Sequence, residues 1–177
     1  MKRVKFLVGI FLLLAAAVSY AQEPVFRIQD MDNQWKSYSD LKGEKVTVID
    51  FWATWCQPCV RSLPLMNEMA EAYKSKGVSF IGISIDGPRN QSKVKPFITS
   101  RGITYPILKD VNSEVMAELN VTAVPTLIIY DAQGEMVMFH EGFKPGDEDL
   151  IREEIDNILS REHVRENNNS VTVTDAC

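Results

Sequence analysis

The chain has 177 residues, and its 19 Lys and Arg stand against 24 Asp and Glu for a formal net charge of −5. That acidic balance excludes nucleic acid as a natural partner, and the length suits one well-buried domain but not two. Of the three cysteines, two stand three apart, so thiol chemistry is the first function class to weigh.

Lys2, Arg3 and Lys5 precede an apolar run from Phe6 to Val18, and Ser19-Tyr20-Ala21 offers small residues before a cut ahead of Gln22. Residues 1–21 are therefore expected to be a secretory signal peptide. The run is shorter than the roughly 18 to 20 residues that span a bilayer, so an uncleaved membrane anchor is the minor alternative, and membrane contact is expected only in that case. Cleavage removes three basic residues and no acidic ones, which takes the balance to about −8. Residues 22–165 are expected to form the domain. An asparagine run and the loss of any apolar period mark 166–177 as a tail without regular structure, ending in Cys177 as a free thiol rather than a dimer bridge. The expectation is an exported, periplasmic monomer.

Within the domain, Glu23 to Asp40 reads as a short edge hairpin around the turn MDNQ. Val46 to Trp52 is an apolar, β-branched run broken only by Thr47 and Asp50, the pattern of a strand covered on both faces. Val60, Leu63, Met66, Met69 and Tyr73 then recur at helical spacing up to about Lys76, with Gly77 as the stop. VSFIGISID (78–86) is a second buried strand, followed by an amphipathic segment ending near Gly102 and a brief strand from Tyr105 to Leu108. Residues 113–119 suggest a short helix, TLIIYD (126–131) a buried strand, and EMVMFHEG (135–142) its hairpin partner. Asp147 opens a last helix with Leu150, Ile151, Ile155, Ile158 and Leu159 on one side. Helices alternating with buried strands imply an α/β fold with a central, mixed but mostly parallel sheet and helices on both faces.

The chemistry concentrates in FWATWCQPCVRSLP (51–64). A strand ending at Trp52 and a helix beginning near Cys56 put the first cysteine at a helix N-terminus, where free N–H groups and the helix dipole favour a thiolate. Cys59, one turn on, can reach the same sulfur, so Cys56 can attack a substrate disulfide and Cys59 can resolve the mixed disulfide. An inert staple is disfavoured because closing so short a loop constrains little of the unfolded chain. Zinc would need two further ligands from the remote His140, His163 and Cys177, so no metal and no dissolved cofactor is expected.

VIDFWATWCQPC resembles the active-site strand and turn of the thioredoxin superfamily, and the exported, hairpin-first layout resembles its ResA/TlpA-type thiol-disulfide oxidoreductases. Three separated matches carry the resemblance across Val25 to about Leu159: W-C-x-P-C at 55–59, Pro64 five after the second cysteine, and Val-Pro-Thr at 124–126. It implies a thioredoxin fold in which about 86–108 is an inserted helix and strand. It also implies that Cys56 attacks, Cys59 resolves, their disulfide is the redox-active form, and Pro125 is a cis-proline opposite them. Val124 would then pair with the substrate chain. Trp55, Gln57 and Pro58 would complete the contact surface, and Trp52 would belong to the core. Asp50, six before Cys56, matches the buried aspartate of thioredoxins, whose desolvated carboxyl would take the proton from Cys59. The lysine that thioredoxins commonly pair with it has no counterpart in VSFIGISID. ResA-type proteins usually carry Glu between the cysteines and another three after the second. Gln57 and Ser62 stand there instead, which separates this chain from the pattern tied to cytochrome c maturation and biogenesis.

The expected function is an exported protein-disulfide reductase, kept reduced by a membrane thiol-transfer protein and acting on substrate protein disulfides. The alternatives are a disulfide oxidant of the same fold and a copper-binding chaperone using the cysteines with His140, although the cysteine spacing is one residue short for such a site. Peroxide reduction is disfavoured because P-x-x-x-T-x-x-C fails, with Ile49 and Ala53 at the required places.

Overall fold

The alternation of strands and helices is built around one central strand in the computed structural model, which describes residues 23–174. The leader and its cut, and Cys177, lie outside the described residues. Strand β3 (Val46–Trp52) is buried at all seven positions. It pairs parallel with β4 (Val78–Ser84) and antiparallel with β6 (Thr126–Asp131), the two other apolar runs, so three strands covered on both faces form the centre of the sheet.

Outside them lie β5 (Ile107–Lys109), the hairpin β1 (Arg27–Asp30) and β2 (Trp35–Ser37), and β7 (Met136–Glu141), giving the order β2-β1-β5-β4-β3-β6-β7. The sheet is mixed, as expected. Only the β3–β4 and β4–β5 pairings are parallel, however, and four are antiparallel, so antiparallel pairs predominate. The reason is topological: two helical crossovers supply the parallel neighbours, and hairpins form both flanks.

The second strand of the first hairpin is shorter than expected. Ser37 and Asp40 form a capping box, with Asp40 N–H donating to Ser37 Oγ (3.3 Å) and Ser37 N–H to the Asp40 carboxylate (2.8 Å), so Tyr38 starts helix α1 (Tyr38–Leu41). Helix α2 (Gln57–Tyr73) contains Pro64 and runs into a 3-10 turn (Lys74–Lys76) that Gly77 ends at φ +83°. Helix α3 (Gln91–Ser100) and β5 form the expected insertion, and α4 (Glu114–Glu118) leads to β6.

Helix α5 spans Asp147–Thr174 and so continues through 166–174, where the sequence suggests a tail without structure. Once a helix is nucleated, each added residue brings a hydrogen bond without needing an apolar face, and the Lys45–Glu166 ion pair (3.0 Å) ties the extension to the start of β3.

Strand alternation divides the core. Val46, Val48 and Trp52 face α2, α3 and α5, meeting Leu63, Met66, Val94, Ile98, Ile151 and Ile155. Ile49 and Phe51 point to the other face, with Tyr38, Ile81, Ile83 and Val115. The inserted helix covers Trp52, whose ring stacks on Phe97 at 5.6 Å, and the Arg101 guanidinium lies 3.6 Å over Phe97.

Candidate active site

The chain leaves β3 at Trp52 and turns into α2 within four residues. Cys56 is the N-cap of α2, and its Sγ sits where a capping oxygen would, 3.3 Å from the Cys59 N–H that donates to it. Pro58 is in the first turn and has no N–H to offer, so among the described residues Cys59 supplies the one hydrogen bond to that sulfur. Cys56 and Cys59 are disulfide-bonded at 2.07 Å. Cys56 retains 5% exposure while Cys59 is fully buried, so an incoming reagent meets the first sulfur and not the second.

The Val124–Pro125 peptide bond is cis, and Val124 O lies 3.6 Å from Cys56 Sγ. In the disulfide form the sulfur has no proton to donate, so this is a close approach that becomes an available S–H···O bond on reduction. Pro125 is anchored through its carbonyl, which accepts from Gly142 N–H at 2.8 Å. Trp55 is 56% exposed and Gln57 is exposed beside it, with Pro58 and Val124 half-buried, which makes a partly apolar rim around Cys56. Ser62, in the place of the second Glu of ResA-type proteins, is buried and donates to Cys59 O at 3.1 Å, so no carboxylate stands there.

Asp50 is on the same face of β3 as Trp52, towards the core that holds Cys59, and is 2% exposed. Burial pushes its carboxyl up to about 7, opposed by the hydrogen bond that Tyr105 Oη donates to Oδ2 at 3.1 Å. Burial and then the adjacent Asp50 charge hold the Tyr105 phenol well above its ordinary value, so it remains a donor.

Two features escape a reading of the sequence alone. Tyr105 reaches Asp50 from the inserted segment across 55 residues of sequence. Asp86, fully buried at the end of β4, accepts from Thr54 N–H (2.9 Å), Thr54 Oγ1 (2.5 Å) and Ser84 Oγ (3.0 Å) and so clamps the loop two residues before Cys56. A signal for Asp86 existed in an acid closing an apolar run two residues after a serine. His140 is on β7 and bonded through Nε2 to Asp147 Oδ2 at 3.0 Å, an anchor for the start of α5.

Fold and site together define a thiol-disulfide oxidoreductase of the thioredoxin type. The chain belongs to the AhpC/TSA family, whose model matches residues 21–138. It is 30% identical over 151 residues to the thiol-disulfide oxidoreductase ResA of Bacillus thuringiensis, covering 76% of this chain and 86% of that protein. Among solved structures it is similar to a protein provisionally assigned as thiol:disulfide interchange protein DsbE from Chlorobium tepidum, with 28% identity, a TM-score of 0.72, and coverage of 78% of this chain and 95% of that one. StoA from Bacillus subtilis matches with 25% identity and a TM-score of 0.62, over 75% of this chain and 97% of its own. Within that family, Ile49 and Ala53 remain where a peroxide-reducing cysteine motif would have Pro and Thr.

Proposed function

We propose that the protein is an exported reductase of substrate protein disulfides, and the observation that carries this is the Cys56–Cys59 disulfide at the N-terminus of α2, opposite cis-Pro125, with Cys56 slightly exposed and Cys59 sealed behind it. The reduced Cys56 thiolate attacks one sulfur of a substrate disulfide, and the second substrate sulfur leaves with the electron pair. Cys59 S–H then gives its proton to the Asp50 carboxylate, and its thiolate attacks Cys56 Sγ. The Cys56–substrate bond breaks, the substrate sulfur leaves with the electron pair as a thiolate that takes up a proton from solvent, and the Cys56–Cys59 disulfide remains. Trp55, Gln57, Pro58, Val124 and Pro125 form the surface that receives the substrate chain, Val124 through its backbone. A membrane thiol-transfer protein restores the dithiol. Export rests on the basic, apolar and small-residue succession of 1–21, the periplasm being the compartment that fits it.

The reducing direction is supported by the few groups that could stabilise the Cys56 thiolate. Gln57 and Pro58 carry no charge, and a single N–H donates to the sulfur among the described residues. A copper-binding chaperone is the weaker reading because His140 is already engaged by Asp147 through Nε2.

Replacement of the cysteines tests the assigned order. Cys59→Ser should accumulate covalent mixed disulfides with substrate, seen on non-reducing gels, and Cys56→Ser should form none and lose insulin-disulfide reduction altogether. Equal trapping by the two variants would contradict the order of attack.

A further inference from the structure

We propose that Tyr105 is a positioning residue for the resolving half of the reaction, its hydroxyl fixing one oxygen of Asp50 so that the carboxylate is held ready to take the Cys59 proton. This rests on the reading of Asp50 as the base.

The geometry is specific to three places in the sheet. Asp50 on β3 is in register with Gly82 on β4, which is in register with Ile107 on β5. A Cβ at Gly82 would stand 2.4 Å from Ile107 Cδ1 and 3.0 Å from Tyr105 Cε2, so that the Ile107 side chain would have to move and the Tyr105 ring would be crowded. The missing side chain is thus the gap through which the phenol crosses β4 to reach Asp50 Oδ2 at 3.1 Å. The Trp52 indole N–H, buried and unpartnered among the described residues, borders the same gap at 3.3 Å from that Cβ position, so polar groups converge there inside an apolar core. Phe80 fixes the Tyr105 ring edge-on at 6.2 Å.

The core on this face of the sheet offers little else to hold Asp50. To it α3 contributes Val94, Phe97 and Ile98 and α5 contributes Ile151 and Ile155, all apolar. The titratable groups from the α2 side are Cys56 and Cys59 and, at the opposite end of the helix, Tyr73. Tyr105 is the one donor to the carboxylate among the described residues. A hydroxyl donor favours the charged carboxylate without adding a charge of its own, unlike a lysine, so the acid stays poised between its two forms.

The test uses the full chain carrying Cys177→Ser, reduced and mixed with an aromatic disulfide that liberates a coloured thiol. The first equivalent is released as Cys56 attacks and the second as Cys59 resolves, so the two phases separate the half-reactions. Y105F keeps the ring and its packing on Phe80. Its second phase should depend on pH with a midpoint about one unit higher than wild type, the shift expected for losing one hydrogen bond to a carboxylate. Below that midpoint the rate should fall about tenfold, with the plateau and the first phase retained. A second reading is the infrared band of the protonated Asp50 carboxyl in the oxidised protein, whose titration should move up by the same amount. An unshifted band, a superimposable profile, or a loss of rate by the same factor at every pH would overturn the proposal. D50N separates the two levels: if it also leaves the second phase unchanged, the base assignment itself fails, and if it slows that phase while Y105F matches wild type, only the role of Tyr105 fails.

Discussion

Burial holds the Asp50 carboxyl near 7 in the folded protein, against an ordinary value of 3.8, and this gives its effect on stability a definite sign. Below about pH 4 the group is protonated in both states and contributes no difference. As pH rises towards 7 the unfolded chain releases the proton while the folded chain keeps it, so stability falls, and above 7 the whole penalty is present. Asn has the same shape, no charge, and an oxygen that can accept from Tyr105. Asp50→Asn should therefore match wild type near pH 4 and be more stable near pH 8, by on the order of 2–4 kcal/mol in urea unfolding. An equal difference at the two pH values would contradict the buried, proton-holding carboxyl. Asp50 was legible in the sequence because an acid in an apolar strand is anomalous by itself. Tyr105 was not, because its role depends on a glycine on the strand between it and Asp50 and on register that no local pattern encodes.

Elements whose both faces are buried were the most legible: β3 and β6 fall on their apolar runs from first residue to last. The edges were less so. At β2 a capping box overrode the strand pattern, and at the C-terminus helix propagation carried α5 past the end of its apolar stripe. The loop between β3 and α2 belongs to this scale too, since its shape is set by Asp86 from the end of β4. Asp86→Ala would leave the Thr54 N–H and the Thr54 and Ser84 hydroxyls without their shared acceptor. It should lower the unfolding free energy by about 2–4 kcal/mol and slow the attack of Cys56, which the first phase of coloured-thiol release measures. Wild-type stability and first-phase rate in this variant would mean that the loop is held by its own backbone.

For the molecule as a whole, the class of fold and the position of the reactive pair were readable from three separated motifs, while the balance of the sheet was not. A parallel majority was the natural expectation from alternating helices and strands, and the hairpins at both flanks reversed it. The direction of electron flow is the property on which the functional account depends most. An oxidant of this fold needs its dithiol strongly stabilised by charge or donors around the first sulfur. Here the first turn offers Gln57, Pro58 and the Cys59 N–H. The direct measurement is the Cys56–Cys59 reduction potential, from equilibration of the protein in glutathione redox buffers read by the fluorescence of Trp52 and Trp55. A potential more negative than about −200 mV is the expected result, and a value near about −120 mV would contradict it and make the protein an oxidant.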